Sequence, residues 1–459
     1  MAAFFATDKR AAMSAPAFLT GSTMRHVLVM TTASSVGLIA MFGVDLVDLY
    51  FLTLLGEQEI LAAVGFAGAL LYFLLSLGIG LQIALGALVA RNEGAGRRHD
   101  AGRFCSSALI LNGLCASVLA VLAWWQLPAF LKLLGASGAT FDYALAYARI
   151  QIPAVPLLVL GMSLGAGLRA VGDARRQMTA TLWGAVVNAC LDPLFIFTFG
   201  WGIEGAAWAS VASRLAVFLI SGWALCRVHR LPVRVTPAEF VRDVPPLLVI
   251  GLPAVLTNLA TPLGNTLLLR LMADFGDAAV AAQTVLARIL PVAFAAVFAI
   301  SGSVGPVIGQ NAGACRYDRV RETLINSALF VVGYVALLWL VMWLFAGQIT
   351  RLFAVTDLSA ELIRFYLNFL VGAFTLNGLL FVSNASFNNL GRAIFATGFN
   401  YAKVLLGILP AAYLLAGPYG ARGVLMGEAV GMAVFGVLGF SAALLLVRTL
   451  ERQYPPLSQ

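Results

Sequence analysis

Twelve apolar runs, each long enough to cross a bilayer, leave this chain very few folds. They lie near 27–55, 59–90, 104–126, 141–169, 176–199, 205–226, 246–273, 279–310, 324–346, 362–390, 394–416 and 423–447. A transmembrane helix needs about 20 apolar residues. In hydrocarbon every backbone N–H and C=O must be paired internally, so only helices or a closed barrel can span. A barrel reads as segments of about 10 residues with alternating polarity, and these runs are continuous. The expected fold is therefore all-α and polytopic, with 12 transmembrane helices. Composition agrees: 61% of the 459 residues are hydrophobic and 11% are charged, against about 25% charged in soluble domains. No polar stretch is long enough for a separate soluble domain.

The net charge of +8 would suggest nucleic acid for a soluble protein. Here it belongs to loops facing an anionic leaflet, and no nucleic-acid partner is expected. With the N-terminus inside, twenty basic residues fall in inner segments, against Lys132, Arg351 and Arg422 outside. The positive-inside rule thus places both termini in the cytoplasm. Residues 1–26 read as a cytoplasmic tail with no signal-peptide pattern, and 448–459 as a second tail. The five cysteines have no metal-ligand spacing and read as apolar fillers.

The chain repeats itself. GAGRRHD (94–100) recurs as GACRYD (313–318), and GIEG (202–205) as GARG (420–423). Tyr147 and Gly172 each lie 219 positions before Tyr366 and Gly391, and Gly56 matches Gly276. A shift near 219 spans six helices, an even number, so the halves run the same way through the membrane as parallel repeats. The expected lobes are 27–226 (spans 1–6) and 246–447 (spans 7–12), joined by an inner linker at 227–245. Parallel halves of this kind enclose a central cavity and suit a transporter working by alternating access.

Four acids lie within spans: Asp45 and Asp48 in span 1, Asp192 in span 5 and Glu428 in span 12. A charge at membrane depth costs at least ~2.5–3.5 kcal/mol, so each needs a partner or a task. Asp48 and Asp192 each stand eight residues before a glycine, Gly56 or Gly200, that ends the span, which puts both about 12 Å below the outer surface. Asn188 lies one turn from Asp192 on the same face, and Ser210 of span 6 falls at a similar depth. Pro193 lacks an N–H, so the carbonyl of Ala189 loses its helical partner. Hard oxygens at one depth suit a proton relay or a small cation, with Na⁺ possible at Asp48, Asn188 and Asp192. Asp45, one turn deeper, adds a second acid beside Asp48, and two adjacent acids cannot both ionise cheaply in low dielectric.

The repeat is an internal control. It sets Leu268 opposite Asp48 and Pro410 opposite Asp192, so the ion site is expected in the N-terminal half alone. Arg288, Asn258, Asn265 and Glu428 are candidates for the substrate cavity. Arg149 and Arg214 could instead pair with the acids, and Arg270, Arg364 and Lys403 read as snorkelling chains. There is no GxxxxGK[ST] phosphate loop, so no ATP partner is expected. HExxH is absent, and so is the GxGD string of intramembrane aspartyl proteases. The chain is read as a non-enzyme without cofactors.

The strings VDLYFLTLLG (47–56), LRAVGDARRQM (168–178), NACLDPLFIFTFGWGIEGAAWAS (188–210), GLPAVLTN (251–258) and GPVIGQNAGA (305–314) carry a resemblance over nearly the whole chain. It resembles the multidrug and toxic compound extrusion (MATE) transporters, in their prokaryotic DinF-like branch. The resemblance implies two six-helix lobes forming a V. It implies export of cationic or amphipathic compounds, by antiport against inward H⁺ or Na⁺. A monomer in the plasma (inner) membrane of a prokaryote is expected. Members with an N-lobe ion site use an Asp of helix 1, an Asn and an Asp one turn apart in helix 5, and a Thr of helix 6. These match Asp48, Asn188, Asp192 and, with Ser for Thr, Ser210. Other members place acids in helices 7 and 10, where this chain has Asn258, Asn265, Asn377 and Asn384. A flippase for a lipid-linked saccharide, from the same superfamily, is the alternative function.

Overall fold

The structure is a computed structural model, and it describes residues 16–55, 58–352 and 357–454. Gly56 and both chain ends lie outside the described residues. Among the described residues ten helical runs are long and apolar enough to cross a membrane, and the count is twelve with each of two bent helix pairs taken as one span. The twelve coincide with the apolar runs of the sequence. Among the described residues no strand occurs.

The first half contains α1 (Thr23–Thr53), α2 (Gln58–Gly94), α3 (Arg98–Trp125), the short α4 (Leu127–Leu133), α5 (Gly138–Gln151), α6 (Val155–Ala170), α7 (Ala174–Pro193) and α8 (Gly202–Trp223). The second contains α9 (Pro237–Ala273), α10 (Asp277–Ala293), α11 (Ala295–Gly313), α12 (Tyr317–Leu352), α13 (Asp357–Phe365), α14 (Ala373–Asn389), α15 (Ala393–Ala402), α16 (Leu409–Tyr419) and α17 (Ala421–Gln453). α10 and α11 form one of the bent pairs, at 48°. Pro291 lies just before that break and cannot donate to the helical ladder.

The chain forms two compact units. One holds Val36–Val255 with residues 16–20, and the other holds Gly21–Ser35 with the chain from Leu256 onward. These boundaries differ from the lobes drawn at 27–226 and 246–447. The inner part of α1 belongs to the second unit, where Asn326 donates to the Thr23 hydroxyl at 2.6 Å. The first 19 residues of α9 belong to the first unit, where buried Asp243 accepts from Ser107 at 2.8 Å and meets the Arg103 guanidinium at 3.2 Å. The stretch 227–245 is thus only partly a linker. A helix begins at Pro237, capped reciprocally by Thr236 and Glu239, a capping box with proline at the first helical position.

Backbone geometry repeats as the sequence does. Gly202 and Gly420, from the GIEG and GARG strings, have φ of +51° and +59°. Gly96 has φ +72°, and its repeat mate Cys315 has φ +56°. The corner that opens α3 is therefore reproduced before α12 by a residue with a Cβ.

Candidate cation-coupling site

The first unit builds a polar cluster from α1, α5, α7 and α8. Close packing of α7 on α8 fixes its frame. Gly184 of α7 lies where a Cβ would overlap Val217 of α8, and Ser213 of α8 donates to the Gly184 carbonyl at 2.8 Å. α7 ends at Pro193 and continues as one π-helical segment, Leu194–Thr198. Such widened turns are frequent at functional sites.

Asn188 and Asp192, one turn apart, are 1% and 0% exposed. The Asn188 carboxamide nitrogen donates to Asp48 Oδ1 at 2.6 Å and to Asp192 Oδ2 at 2.7 Å. One NH₂ group thus holds two carboxyl groups from different helices, using both of its hydrogens. Asp48 and Asp192 also face one another within hydrogen-bonding reach. Two carboxyl groups can make that bond only with a proton between them. Asp192 Oδ1 is buried and has no hydrogen-bond partner among the described residues. A buried acceptor without a donor carries a penalty of about 1–3 kcal/mol. It marks where a proton or cation would be stabilised.

The remaining expected residues are placed differently. Ser210 is half-buried, with its hydroxyl near the Tyr147 phenol of α5. Asp45 is exposed, within electrostatic reach of Asp48 and of Arg214 on α8. Arg214 approaches both acids electrostatically, and its Nη1 is buried with no hydrogen-bond partner among the described residues. Arg149 is exposed on α5. Tyr147 and Arg214 are therefore members of the cluster that sequence reasoning left out of the site. Arg214 had a visible signal: it stands one turn after Ser210 on the same helix face. No group of three or more His, Cys, Asp or Glu side chains able to hold a metal ion occurs among the described residues.

The substrate-cavity candidates separate. Asn265 and Glu428 line one cavity of about 110 Å³ in the second unit, together with Asn377. Arg288 is exposed on α10 and Asn258 is half-buried on α9, and neither lines that cavity. Lys403 does. It is 8% exposed and donates to Asn377 Oδ1 at 3.1 Å, so it is not the snorkelling chain expected for it. A π-helical segment, Lys403–Ile408, turns it inward.

The MatE family model matches residues 33–194 and 253–413, one segment in each half. The chain belongs to the MatE family. Its members are transporters rather than enzymes, as the sequence implied. A relative named FAD transporter, from Shewanella oneidensis, is 29% identical over 94% of this chain and 95% of its own. The multidrug export protein MepA of Staphylococcus saprophyticus is 22% identical over 83% of this chain and 84% of its own. Among solved structures, the Vibrio cholerae MATE transporter VcmN in its bent form matches with a TM-score of 0.90 at 25% identity, covering 94% of this chain and 98% of that one. A MOP superfamily transporter from Pyrococcus furiosus matches with a TM-score of 0.89 at 22% identity, covering 96% and 99%; that likeness concerns the fold alone. MatE membership and this likeness agree with the all-α fold of twelve spans read from the sequence.

Proposed function

We propose that this MatE-family transporter is a secondary active exporter of cationic or amphipathic compounds, coupled to inward H⁺ by alternating access. It works as a monomer in the inner membrane of a prokaryote, with both termini cytoplasmic. The observation that carries the reading is the Asn188 bridge between Asp48 and Asp192, around a fully buried carboxyl oxygen that lacks a donor. A proton entering from outside supplies that donor and neutralises the cluster. Loss of the charge changes the cost of burying α1 and α7 and drives the conformational change that releases substrate. Each inward charge adds ~2.3 kcal/mol per 100 mV of membrane potential. H⁺ is favoured over Na⁺ because Asn188 turns its NH₂, not its carbonyl oxygen, toward both carboxyl groups.

A second reading of the substrate, a flavin nucleotide, is favoured by the longer and closer match to the relative named FAD transporter than to MepA. The test uses proteoliposomes carrying the full chain, with ethidium and then FAD as cargo. An imposed pH gradient is expected to drive one of them against its own gradient, and a Na⁺ gradient alone is not. Coupled movement driven by Na⁺ alone would reverse the choice of ion. Movement of a lipid-linked saccharide, with neither cargo moved by either ion, would replace the reading with the flippase.

A further inference from the structure

The second unit holds charge and polar groups that the coupling site does not use. Lys403 on the π-helical segment and Glu428 on α17 are each 8% exposed. Glycines bring them together. A Cβ on Gly407 would press on Phe435 and Gly431, and one on Gly431 would overlap Ile408, so the segment 403–408 lies directly on α17. Glu428 is within electrostatic reach of Lys403, and no described residue hydrogen-bonds its carboxylate. Lys403 spends one hydrogen on Asn377, and an ammonium has three. Gln283 of α10, 9% exposed, lines the same cavity, and its Oε1 is buried without a partner.

This wall offers two acceptors, Glu428 and Gln283 Oε1, beside a donor, Lys403. A simple cation entering here meets Lys403, and a simple anion meets Glu428. A neutral group presenting a donor beside an acceptor satisfies Glu428 and Lys403 together. Phe298, Phe374 and Phe381 add an aromatic lining, Phe298 lying 5.5 Å from Phe381 and 6.2 Å from Phe374 between ring centroids. The volume of about 110 Å³ is less than the roughly 150 Å³ that admits a benzene. It fits the edge of a ring, with the remainder projecting past the exposed rim residues Thr261 and Asn265.

We propose that this cavity binds the imide or ureide edge of a flat heterocycle, its N–H donated to Glu428 and its carbonyl oxygen accepting from Lys403. That the occupant is transported cargo rests on the exporter reading, whereas binding itself does not.

The test measures binding without any ion gradient, so failure of coupling and failure of this site are read separately. The probe is riboflavin, a fluorescent flat imide, titrated into the purified full chain and compared with riboflavin methylated at the imide nitrogen. The wild type is expected to bind riboflavin and to bind the methylated probe about tenfold more weakly, as for a lost hydrogen bond to a charged group. Lys403→Gln and Glu428→Gln are each expected to weaken riboflavin by about tenfold on the same basis, with thermal melting confirming that each variant folds. Equal affinity for the two probes would overturn the proposal, whatever the variants do. So would unchanged affinity in both folded variants, or no binding of riboflavin by the wild type.

Discussion

Where the first half carries Ser210, the second carries Glu428, 218 positions on; where the first has Asp45, the second has Asn265, 220 on. Tyr147 stands by Ser210, and its mate Tyr366 stands within electrostatic reach of Glu428. Equivalent positions of a duplicated scaffold thus hold different chemistry. In the first unit two aspartates share one carboxamide donor. In the second a lysine and a glutamate balance each other around a small cavity. The halves share backbone geometry while their polar residues differ at equivalent positions.

The comparison breaks first at Asp192. If the coupling site lies in the first unit alone, Asp192→Asn abolishes pH-driven efflux from proteoliposomes while the protein remains folded and inserted. Full coupled efflux by that variant would refute the assignment. Asn188→Leu is the next largest effect. It keeps the volume and removes the donor shared by both acids. Each buried acceptor left bare costs about 1–3 kcal/mol, so initial coupled efflux should fall by roughly 10- to 100-fold. A rate within twofold of wild type would show that the bridge does not matter to coupling.

Much of this could be read before the structure. Apolar runs located all twelve spans, because length and hydropathy decide what crosses a bilayer. They missed the start of α9 because Glu239, Arg242 and Asp243 look like loop; the capping box and the Arg103–Asp243 ion pair make that stretch helical. Asp48, Asn188 and Asp192 were legible from depth and from spacing along one helix. Tyr147 and Lys403 were not. Tyr147 gains its place only where α5 meets α8, and Lys403 is turned inward by a π segment that has no sequence signature.

Smaller effects sharpen the comparison at the turns. Asp173, before α7, accepts from the Arg176 backbone N–H at 3.1 Å, from the Arg176 guanidinium and from His229 Nε2 at 2.7 Å. Burial alone would raise its pKa, but the hydrogen bonds from His229 and Arg176 outweigh that and hold it below the usual carboxylate value. Its repeat mate Arg392, before α15, makes no side-chain cap. A lowered folded pKa gives stability that is complete above the ordinary value near 3.9 and is lost as pH falls through the folded value. Asp173→Asn keeps a capping oxygen but loses the charge that accepts from Arg176 and His229, so it should be less stable than wild type at pH 7 by about 1 kcal/mol. The gap should narrow below about pH 4. A gap that stays constant down to pH 3 would mean that the charge contributes nothing.

The smallest effect tests the duplication itself. Gly96 and Cys315 occupy the same corner with φ of +72° and +56°. Glycine holds this conformation freely, whereas a residue with a Cβ pays about 1–2 kcal/mol for the contact of Cβ with its own backbone. Cys315 is exposed, so a glycine there loses little packing. The looser unfolded chain of a glycine variant returns part of the gain, about 0.4–1 kcal/mol. Cys315→Gly should therefore raise thermal stability slightly, by about 1 kcal/mol or less, and Gly96→Ala should lower it, because the strain then enters the half that lacks it. If both substitutions destabilise equally, the two corners are not equivalent, and the backbone likeness of the halves stops short of their energetics.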